Sequence, residues 1–294
     1  MADAERDDAA NVGGEVPPTL RPHPWSRGFA WSPRSGRFLR ITRAQAEQYD
    51  ALGFVAFEGA LAPEVVAELI ARLDPLEAKT DAFLRAQPEQ RFFIADAGAI
   101  TFTVNPAGRD ARLRELISAR VFAELAHDLL GPAVRLYWDQ AVYKKSERPR
   151  TFGWHQDNGY GFIEPQGYLT FWIALSDATP ENGCLEVLPG LHQRGTLAHQ
   201  TDANGIFLPL PDPLPAGLPE PVLVPARAGT IVAMSSLLPH RTGPNRTPEV
   251  RKAYVVQCCE ERAVYWRGDA ARPAPETYEP VVELPESRQW PLVP

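Results

Sequence analysis

Cysteine and methionine are scarce in this sequence, with three and two residues among 294. The cysteines are Cys184, Cys258 and Cys259, an odd number in which the last two are adjacent in an apolar run. Neighbouring side chains of a strand point to opposite faces, so this pair would not share one face. The three cysteines are therefore predicted to be small core residues, and neither a disulfide framework nor a cysteine zinc site is expected.

Basic residues are not in excess, and long apolar runs are absent. The net charge of −7 gives no support for binding to nucleic acid or to an anionic membrane. No apolar run approaches the roughly 20 residues that span a bilayer. The first residues, MADAERDDAANVGG, are acidic where an export signal would be basic and then apolar. We expect a cytoplasmic protein without a nucleic-acid or membrane partner, and the sequence leaves its oligomeric state open.

The composition changes near residue 40. Residues 1–40 are rich in glycine, proline and acid and then carry aromatic residues without a period, which is typical of a partly irregular N-terminal tail. Thr42 with Gln45 three positions on forms a capping box, the signature of a helix start. Helices followed by strands can share one core, so residues 41–294 are predicted to form a single domain.

Helical patterns fill the first half of that domain and strand patterns fill the second. Pro63 stands at a plausible first helical position, before an apolar stripe at helical spacing that ends at Leu73. Two further helices are predicted at about 76–85 and 110–130. Short runs rich in aromatic and β-branched residues then predict strands at 134–144, 168–175, 222–224, 230–234 and 252–257. The fold class expected is α+β with a mainly β core, an antiparallel sandwich or barrel.

A histidine and a carboxylate, His155 and Asp157, stand two positions apart in the segment GWHQD. On a strand, such residues project from the same face about 7 Å apart, so both can reach one metal ion. The pair alone is more often solvated or satisfied in the core. A second histidine, His240, follows the predicted strand at 230–234. Two histidines and one carboxylate suit an Fe(II) oxygenase, but zinc hydrolases use the same ligand types, so the triad does not identify the metal.

Arg251 lies eleven positions after His240, at the start of a predicted strand. A hairpin turn through residues 243–245 would return it to the metal. A guanidinium there can bind a carboxylate through two parallel hydrogen bonds, as the far end of 2-oxoglutarate would require. The alternative is a surface arginine at a strand start.

Four segments carry a family resemblance that covers about residues 41–260. They are ITRAQAEQYDALGFVAFEGALAPEVV from Ile41, WHQD from Trp154, ENGCLEVLPGLHQRG from Glu181, and the pair PHRTGPN and VRKAY between Pro239 and Tyr254. These segments resemble the phytanoyl-CoA dioxygenase family of Fe(II)- and 2-oxoglutarate-dependent oxygenases. The resemblance implies a double-stranded β-helix, a cupin-like jelly roll, braced by N-terminal helices.

The resemblance also implies the reagents and the residues that hold them. Fe(II) is the implied cofactor, with 2-oxoglutarate and O₂ as co-substrates. By motif, His155, Asp157 and His240 match the iron ligands and Arg251 matches the arginine that binds the far carboxylate of 2-oxoglutarate. The co-substrate pocket is further matched by Thr242, Gln140 and Trp172. Trp172 and Gln140 are otherwise explained as core residues, and the lysine that some members carry near residues 99–104 is absent.

The reaction implied is hydroxylation of an unactivated C–H bond, with release of succinate and CO₂. Related halogenases have a small residue in place of the carboxylate ligand, so Asp157 favours hydroxylation, desaturation or ring formation over halogenation. A zinc hydrolase and a cupin-like binding protein without turnover remain alternatives. Arg251 and Thr242 speak against the second, because a structural metal site needs no group that binds a carboxylate.

The substrate is expected to be a small or mid-sized organic molecule. Adjacency to the motifs suggests six substrate residues, namely Trp154, Asn158, Tyr160, Phe162, Tyr143 and Lys145. An acyl-CoA would require a basic cluster for its phosphates, and the available residues are Lys144, Lys145, Arg148 and Arg150. These four are more typical of a solvated loop. His199 is interpreted as a surface residue.

Overall fold

The computed structural model describes residues 20–201, 207–208, 213–267 and 277–280. Its α-helices are α1 (Arg43–Leu52), α2 (Pro63–Arg85), α3 (Ala111–Ile117) and α4 (Arg120–Leu129). Its strands are β1 (Phe54–Phe57), β2 (Arg91–Phe92), β3 (Ala95–Asp96), β4 (Ile100–Val104), β5 (Val134–Lys144), β6 (Phe152–His155), β7 (Phe162–Glu164), β8 (Leu169–Ala174), β9 (Leu185–Val187), β10 (Gln200–Thr201), β11 (Phe207–Leu208), β12 (Val222–Val224), β13 (Ile231–Ser235), β14 (His240–Thr242), β15 (Arg251–Glu260), β16 (Val264–Arg267) and β17 (Thr277–Pro280).

Helices α1 and α2 begin where the sequence predicts. The Thr42 capping box is present, with the Thr42 side chain and the Gln45 side chain each bonded to the other's backbone. Pro63 is the first residue of α2. The separate helix predicted at 76–85 is wrong, because α2 continues through Pro75 to Arg85. Proline removes one helical hydrogen bond. The apolar stripe continues past it to the buried Leu84, so burial keeps the helix in one piece.

The single helix predicted at 110–130 is also wrong, since two helices occupy this stretch. The Asp110 side chain caps α3 by accepting the N–H groups of Arg112 and Leu113. The chain leaves helical geometry at Ser118 (φ −93°, ψ 3°), and α4 starts two residues later. The break lets each short helix bury its own apolar face, with Leu113 in α3 and Phe122 in α4 both buried.

Two antiparallel sheets form the body of the fold. The major sheet has eight strands in the order β1-β13-β8-β15-β5-β4-β3-β2, and the minor sheet has four in the order β12-β9-β14-β6. Two further small sheets pair β10 with β11, and β17, β16 and β7 in that order. Because neighbours in the major sheet are distant in sequence, the chain winds between the two sheets as in a double-stranded β-helix. The predicted jelly roll is confirmed.

The two faces of the major sheet bury different partners. Strand β8 is apolar throughout except for Thr170, yet its residues alternate between two cores. Phe171 packs with the helices, in a cluster that includes Leu69 of α2 and Phe122 of α4. Trp172 faces the minor sheet with Leu185 of β9. The helices therefore brace the outer face of the major sheet, and the inner face is left for a cavity between the sheets.

The connection from β14 to β15 is not the predicted hairpin. Strand β14 pairs with β6 and β9 in the minor sheet, whereas β15 pairs with β5 and β8 in the major sheet. The loop at 243–250 therefore crosses from one sheet to the other. Arg251 still reaches the space beside His240, because the two sheets face each other across the cavity.

Residues 20–40 contain no helix or extended strand and lie against the domain. The Trp25 ring contacts Phe162 edge-on, with ring centroids 5.6 Å apart. The Asp128 carboxylate of α4 accepts hydrogen bonds from the backbone N–H groups of residues 39–41. The rest of the predicted tail lies outside the described residues.

All three cysteines are buried and free, as predicted. Cys258 packs with the helix-facing core and Cys259 with a separate cluster around Ile163, so the adjacent pair does point to opposite faces. No helix within the described ranges is long and apolar enough to cross a membrane.

Candidate metal centre and co-substrate pocket

His155, Asp157 and His240 meet at one point between the sheets. His155 ends β6 and His240 begins β14, directly opposite each other in the minor sheet, with ring centroids 4.1 Å apart. Asp157 is not on the strand, as the spacing suggested, but in a 3-10 turn over Asp157–Gly159 that bends its carboxylate back. One ligand atom from each of the three lies within 4.8 Å of the others. The structure thus brings together the three predicted ligands.

Hydrogen bonds fix the ring orientation of both histidines. The Nδ1 atom of His155 lies 2.8 Å from the Gly153 carbonyl oxygen, and that of His240 lies 2.9 Å from the Leu238 carbonyl oxygen. A carbonyl oxygen can only accept, so each Nδ1 carries the proton. In the neutral form of either ring the Nε2 atom then keeps its lone pair, which is the form that binds a metal.

Burial keeps the His155 imidazole neutral. Burial is the largest cause that lowers the pKa of His155 well below 6.5, and the charge of the neighbouring His240 is the second. Desolvation penalises the imidazolium form. A neutral imidazole is the metal-ligating form, so the site holds this ligand ready at neutral pH.

Thr170 orients the carboxylate of Asp157. Its hydroxyl donates a 2.7 Å hydrogen bond to Oδ2 of Asp157 and lies 3.4 Å from the donating amide of Gln257. Oδ1 is left facing the histidines, 3.8 Å from Nε2 of His240. Both supporting residues are buried in the major sheet. The sequence did not indicate them, because they come into contact with Asp157 through the facing of the two sheets.

The backbone between the first two ligands is also held. The Gln156 side chain donates to the carbonyl oxygens of Gly195 and Leu237, and its backbone N–H donates to Nε2 of His199 at 2.9 Å. His199 is therefore not the surface residue predicted, because its ring packs on the turn that carries Asp157. Burial lowers its pKa to about 4, which keeps that ring neutral and able to accept.

Arg251 supplies an unmatched positive charge beside the triad. It is 1% exposed, and none of its three guanidinium nitrogens has a hydrogen-bond partner among the described residues. Burial lowers its pKa to about 10, which leaves it charged at neutral pH. A buried, unpaired cation is costly. The site therefore fits an anion that supplies the missing acceptors, as the far carboxylate of 2-oxoglutarate would.

The other predicted co-substrate residues surround Arg251. Thr242, Gln140 and Trp172 line the same cavity of about 670 Å³ as Arg251 and the triad. The Trp172 ring lies under the guanidinium, 5.4 Å from its centroid to Cζ of Arg251. A cation above a tryptophan face is favourable, so Trp172 steadies the guanidinium.

Lys144 is a buried lysine next to Arg251, outside the residues that line the cavity. It pairs with Arg251 across β5 and β15, and its Nζ donates to the carbonyl oxygens of Arg150, Thr242 and Gly243. Burial first, and then the charges of Arg251 and Arg150, lower its pKa to about 6. Lys144 thus ties the end of the minor sheet to β5, the strand beside the one that carries Arg251.

One of the six predicted substrate residues, Tyr160, lines the cavity, with its ring 5.5 Å from that of His155. The prediction is corrected for Trp154, which faces away from the cavity with Leu188 because neighbouring strand residues alternate. Phe162 and Asn158 do not line the cavity either, and the ring of Phe162 stacks on His23. Asn158 is buried and holds the turn by bonding the N–H of Ile163.

Tyr143 and Lys145 are also not cavity residues, because they point to the opposite face of the major sheet. Both lie on the helix-facing side, where the Tyr143 hydroxyl donates to Asp74 at 2.7 Å and the Lys145 ammonium pairs with Asp81 at 2.8 Å. Both carboxylates belong to α2. The residues of β5 that line the cavity are Tyr137, Trp138, Gln140 and Val142.

The four basic residues weighed for an acyl-CoA are engaged in the fold. Lys144 bonds three carbonyl oxygens and Lys145 pairs with acids of α2. Arg148 and Arg150 both pair with Asp96, at 2.6 and 3.3 Å. None of the four lines the cavity. A phosphate-binding cluster is not formed by these residues.

Both the sequence and the fold of this chain match those of known proteins. A sequence model of the phytanoyl-CoA dioxygenase (PhyH) family matches residues 49–253. A methylphosphonate hydroxylase of Gimesia maris is 38% identical over 145 residues, and a phytanoyl-CoA dioxygenase of Arabidopsis thaliana is 32% identical over 132. These matches cover 48% and 45% of this chain, and 52% and 46% of those proteins. The chain thus spans about half the length of these two relatives.

Another relative is matched over nearly its whole length. The mouse phytanoyl-CoA dioxygenase domain-containing protein 1 is 27% identical over 285 residues, which covers 80% of this chain and 96% of that protein. Among solved structures, the non-haem α-ketoglutarate-dependent carbocyclase SnoK gives a TM-score of 0.65 at 24% identity, covering 77% of this chain and 87% of SnoK. EctD of S. alaskensis, with 2-oxoglutarate and 5-hydroxyectoine, gives 0.61 at 22%, covering 82% and 83%.

A jelly roll with a His-Asp-His triad and a buried arginine is the arrangement that non-haem iron and 2-oxoglutarate-dependent oxygenases use. The chain belongs to the phytanoyl-CoA dioxygenase family.

Proposed function

We propose that this protein hydroxylates an unactivated C–H bond of a small to mid-sized organic molecule, consuming 2-oxoglutarate and O₂ and releasing succinate and CO₂. The observation that carries the proposal is the Arg251 guanidinium, buried without a partner in the same cavity as the triad. A zinc hydrolase or a non-catalytic cupin does not require a buried cation at this position. Binding of a keto acid with a second carboxylate does require one, because the cation pairs with that carboxylate.

His155, Asp157 and His240 would hold Fe(II) on one side and leave its other positions to the cavity. Bound iron supplies the chemistry that couples decarboxylation of 2-oxoglutarate to oxidation of the substrate. Thr170 keeps Asp157 turned toward the metal position. Asp157 as a ligand favours oxygen transfer over halogenation. Desaturation or ring formation would use the same residues, and analysis of the product distinguishes them.

Arg251 would bind the far carboxylate of 2-oxoglutarate by two parallel hydrogen bonds, and the Thr242 hydroxyl lies in the same pocket to assist it. Trp172 and Gln140 would form the walls beside the co-substrate. All of these side chains lie on strands of the two sheets, which fixes their positions before binding. His155, His240 and Arg251 are buried between the sheets, which limits the access of bulk water to them.

The test is succinate formation from 2-oxoglutarate in the presence of Fe(II), with and without O₂. We expect succinate in air and none under anaerobic conditions, and we expect Asp157→Ala to abolish it. Glu58→Ala, which removes an exposed carboxylate, is the matched control and should retain activity. Succinate that forms equally well without O₂ would contradict the proposed reaction, and undiminished turnover in Asp157→Ala would contradict the proposed site.

A further inference from the structure

Tyrosine side chains dominate the part of the cavity that lies beyond the triad. Tyr137, Tyr160, Tyr168 and Tyr265 all line it. The rings of Tyr137 and Tyr168 meet edge-on with centroids 5.2 Å apart. These tyrosines come from β5, the turn after the Asp157 ligand, the residue before β8, and β16, so separate parts of the fold contribute them. Tyr137, Tyr168 and Tyr265 pack in one cluster, and Tyr160 lies beside His155. We call these four residues the tyrosine wall.

The rest of this region is apolar or neutral. Phe92 and Phe93 stand at the cavity with 58% and 59% of their surface exposed, an unusual position for two phenylalanine rings. Trp138 and the amide of Gln257 complete the lining on the side of the major sheet. Such a surface offers aromatic faces and a few hydroxyl and amide groups, which suit rings and carbonyl or hydroxyl groups.

Charge is confined to the metal and co-substrate end. Within the described part of the chain, the lysine, arginine and carboxylate side chains that line the cavity are Arg251 and Asp157. Under the proposed function, both are occupied, Arg251 by the far carboxylate of 2-oxoglutarate and Asp157 by iron. Among the described lining residues, a negatively charged substrate would therefore find no further cation to pair with, and burying an unpaired charge is costly.

We infer that the substrate is an uncharged, ring-containing and largely apolar molecule with hydroxyl or carbonyl groups, bound against the tyrosine wall. This inference rests on the proposed function, because it assigns Arg251 to 2-oxoglutarate. The cavity of about 670 Å³ is of a size that takes such a molecule beside the co-substrate. The inference predicts that acyl-CoA thioesters and phosphonates, which are anionic, are not substrates.

Two probes of the same shape test the inference. The uncharged 2-acetylnaphthalene and the anionic 2-naphthoate are titrated into protein loaded with Fe(II) and 2-oxoglutarate without O₂. We expect the ketone to bind at least about tenfold more tightly, and methylphosphonate not to bind. Equal or tighter binding of naphthoate, binding of methylphosphonate, or no binding of the ketone would overturn the inference. Loading is measured first, so a failure to bind 2-oxoglutarate identifies a failure of the proposed function instead.

A variant in the tyrosine wall makes the test specific to this region. Tyr160 is 37% exposed, so the wall tolerates a new side chain there. In Tyr160→Arg we expect naphthoate affinity to rise at least about tenfold over wild type, because the anion gains a partner. Tyr160→Gln is the neutral control and should keep the preference for the ketone. Unchanged naphthoate affinity in Tyr160→Arg would show that the probe binds elsewhere and would overturn the assignment.

Discussion

Arg251 is expected to lower the stability of the ligand-free protein and to bind 2-oxoglutarate. Its buried guanidinium lacks partners, so Arg251→Leu should leave the ligand-free protein as stable or more stable. The same change should abolish stabilisation by 2-oxoglutarate, with a loss in affinity of about 100-fold, or roughly 3 kcal/mol for a charge-assisted pair. Thermal unfolding with and without 2-oxoglutarate and Fe(II) measures both effects.

The exposed Arg227 provides the control for that experiment. Arg227→Leu removes a guanidinium far less buried, and the 2-oxoglutarate shift should remain. If Arg251→Leu destabilised the ligand-free protein strongly and left 2-oxoglutarate binding intact, Arg251 would be a structural residue.

Thr170 is expected to act through Asp157. Thr170→Val keeps the shape of the side chain and removes the hydroxyl that donates to Oδ2 of Asp157 at 2.7 Å. Supporting hydrogen bonds of this kind change metal affinity by about 10- to 100-fold. We expect Fe(II) affinity to fall in that range, measured by competition with a chelator. Thr170→Ser should restore most of it, and wild-type affinity in Thr170→Val would contradict this role.

At the residue scale, the sequence predicts the site residues that lie in short motifs or that match the motifs of the family. His155, Asp157 and His240 follow from short motifs. Thr170 does not, since it meets Asp157 only when β8 of the major sheet faces β6 of the minor sheet. The substrate residues chosen by adjacency fail for a physical reason, illustrated by Trp154, because the neighbours of a strand ligand point to the opposite face.

Gly183 joins two elements of the site, at the turn before β9. A Cβ added to Gly183 would lie 2.3 Å from the carbonyl oxygen of Gly243, which also accepts a hydrogen bond from Lys144. We expect Gly183→Ala to displace the end of β14, and with it Thr242. The expected cost is about 1–2 kcal/mol for the left-handed backbone and a further 1–3 kcal/mol for overpacking. The free energy of unfolding, measured with denaturant, and the affinity for 2-oxoglutarate should both decrease.

Gly217 separates these two costs. Its φ of 86° is close to the 82° of Gly183, but nothing lies within 4 Å of an added Cβ. Gly217→Ala should therefore show the backbone cost alone and normal 2-oxoglutarate affinity. Equal effects of the two substitutions would mean that the contact with Gly243 is unimportant.

At the element scale, periodicity locates strands and helix starts, and it misses how they are connected. Helix α2 passes through Pro75 because the buried side chains beyond it outweigh one hydrogen bond. The loop after β14 crosses between sheets, although the turn residues at 243–245 suggest a hairpin. Both errors come from tertiary packing, which local patterns do not contain.

The stability of the whole molecule should depend on pH through its buried histidines. Burial lowers the pKa of His192 to about 4, against 6.5 for an ordinary histidine. As pH falls, the unfolded chain therefore binds a proton before the folded chain does. The stability is fully present above pH 6.5 and is lost as pH falls toward 4, at up to about 1.4 kcal/mol per pH unit for one such group.

Denaturant unfolding of the metal-free protein at several pH values between 7.5 and 4.5 measures this dependence. His192→Gln keeps a donor toward the Asp50 carbonyl oxygen and removes the titrating ring. It should make the dependence of the unfolding free energy on pH shallower. A slope as steep as that of wild type would show that His192 does not contribute.

The whole account depends on oxygen transfer at the triad, and labelled O₂ tests this most directly. Wild-type protein supplied with Fe(II), 2-oxoglutarate and ¹⁸O₂ should yield succinate that carries one ¹⁸O atom in its new carboxylate. His240→Ala, which removes a ligand position, should yield almost none. Unlabelled succinate, or labelled succinate formed equally well by His240→Ala, would contradict the account.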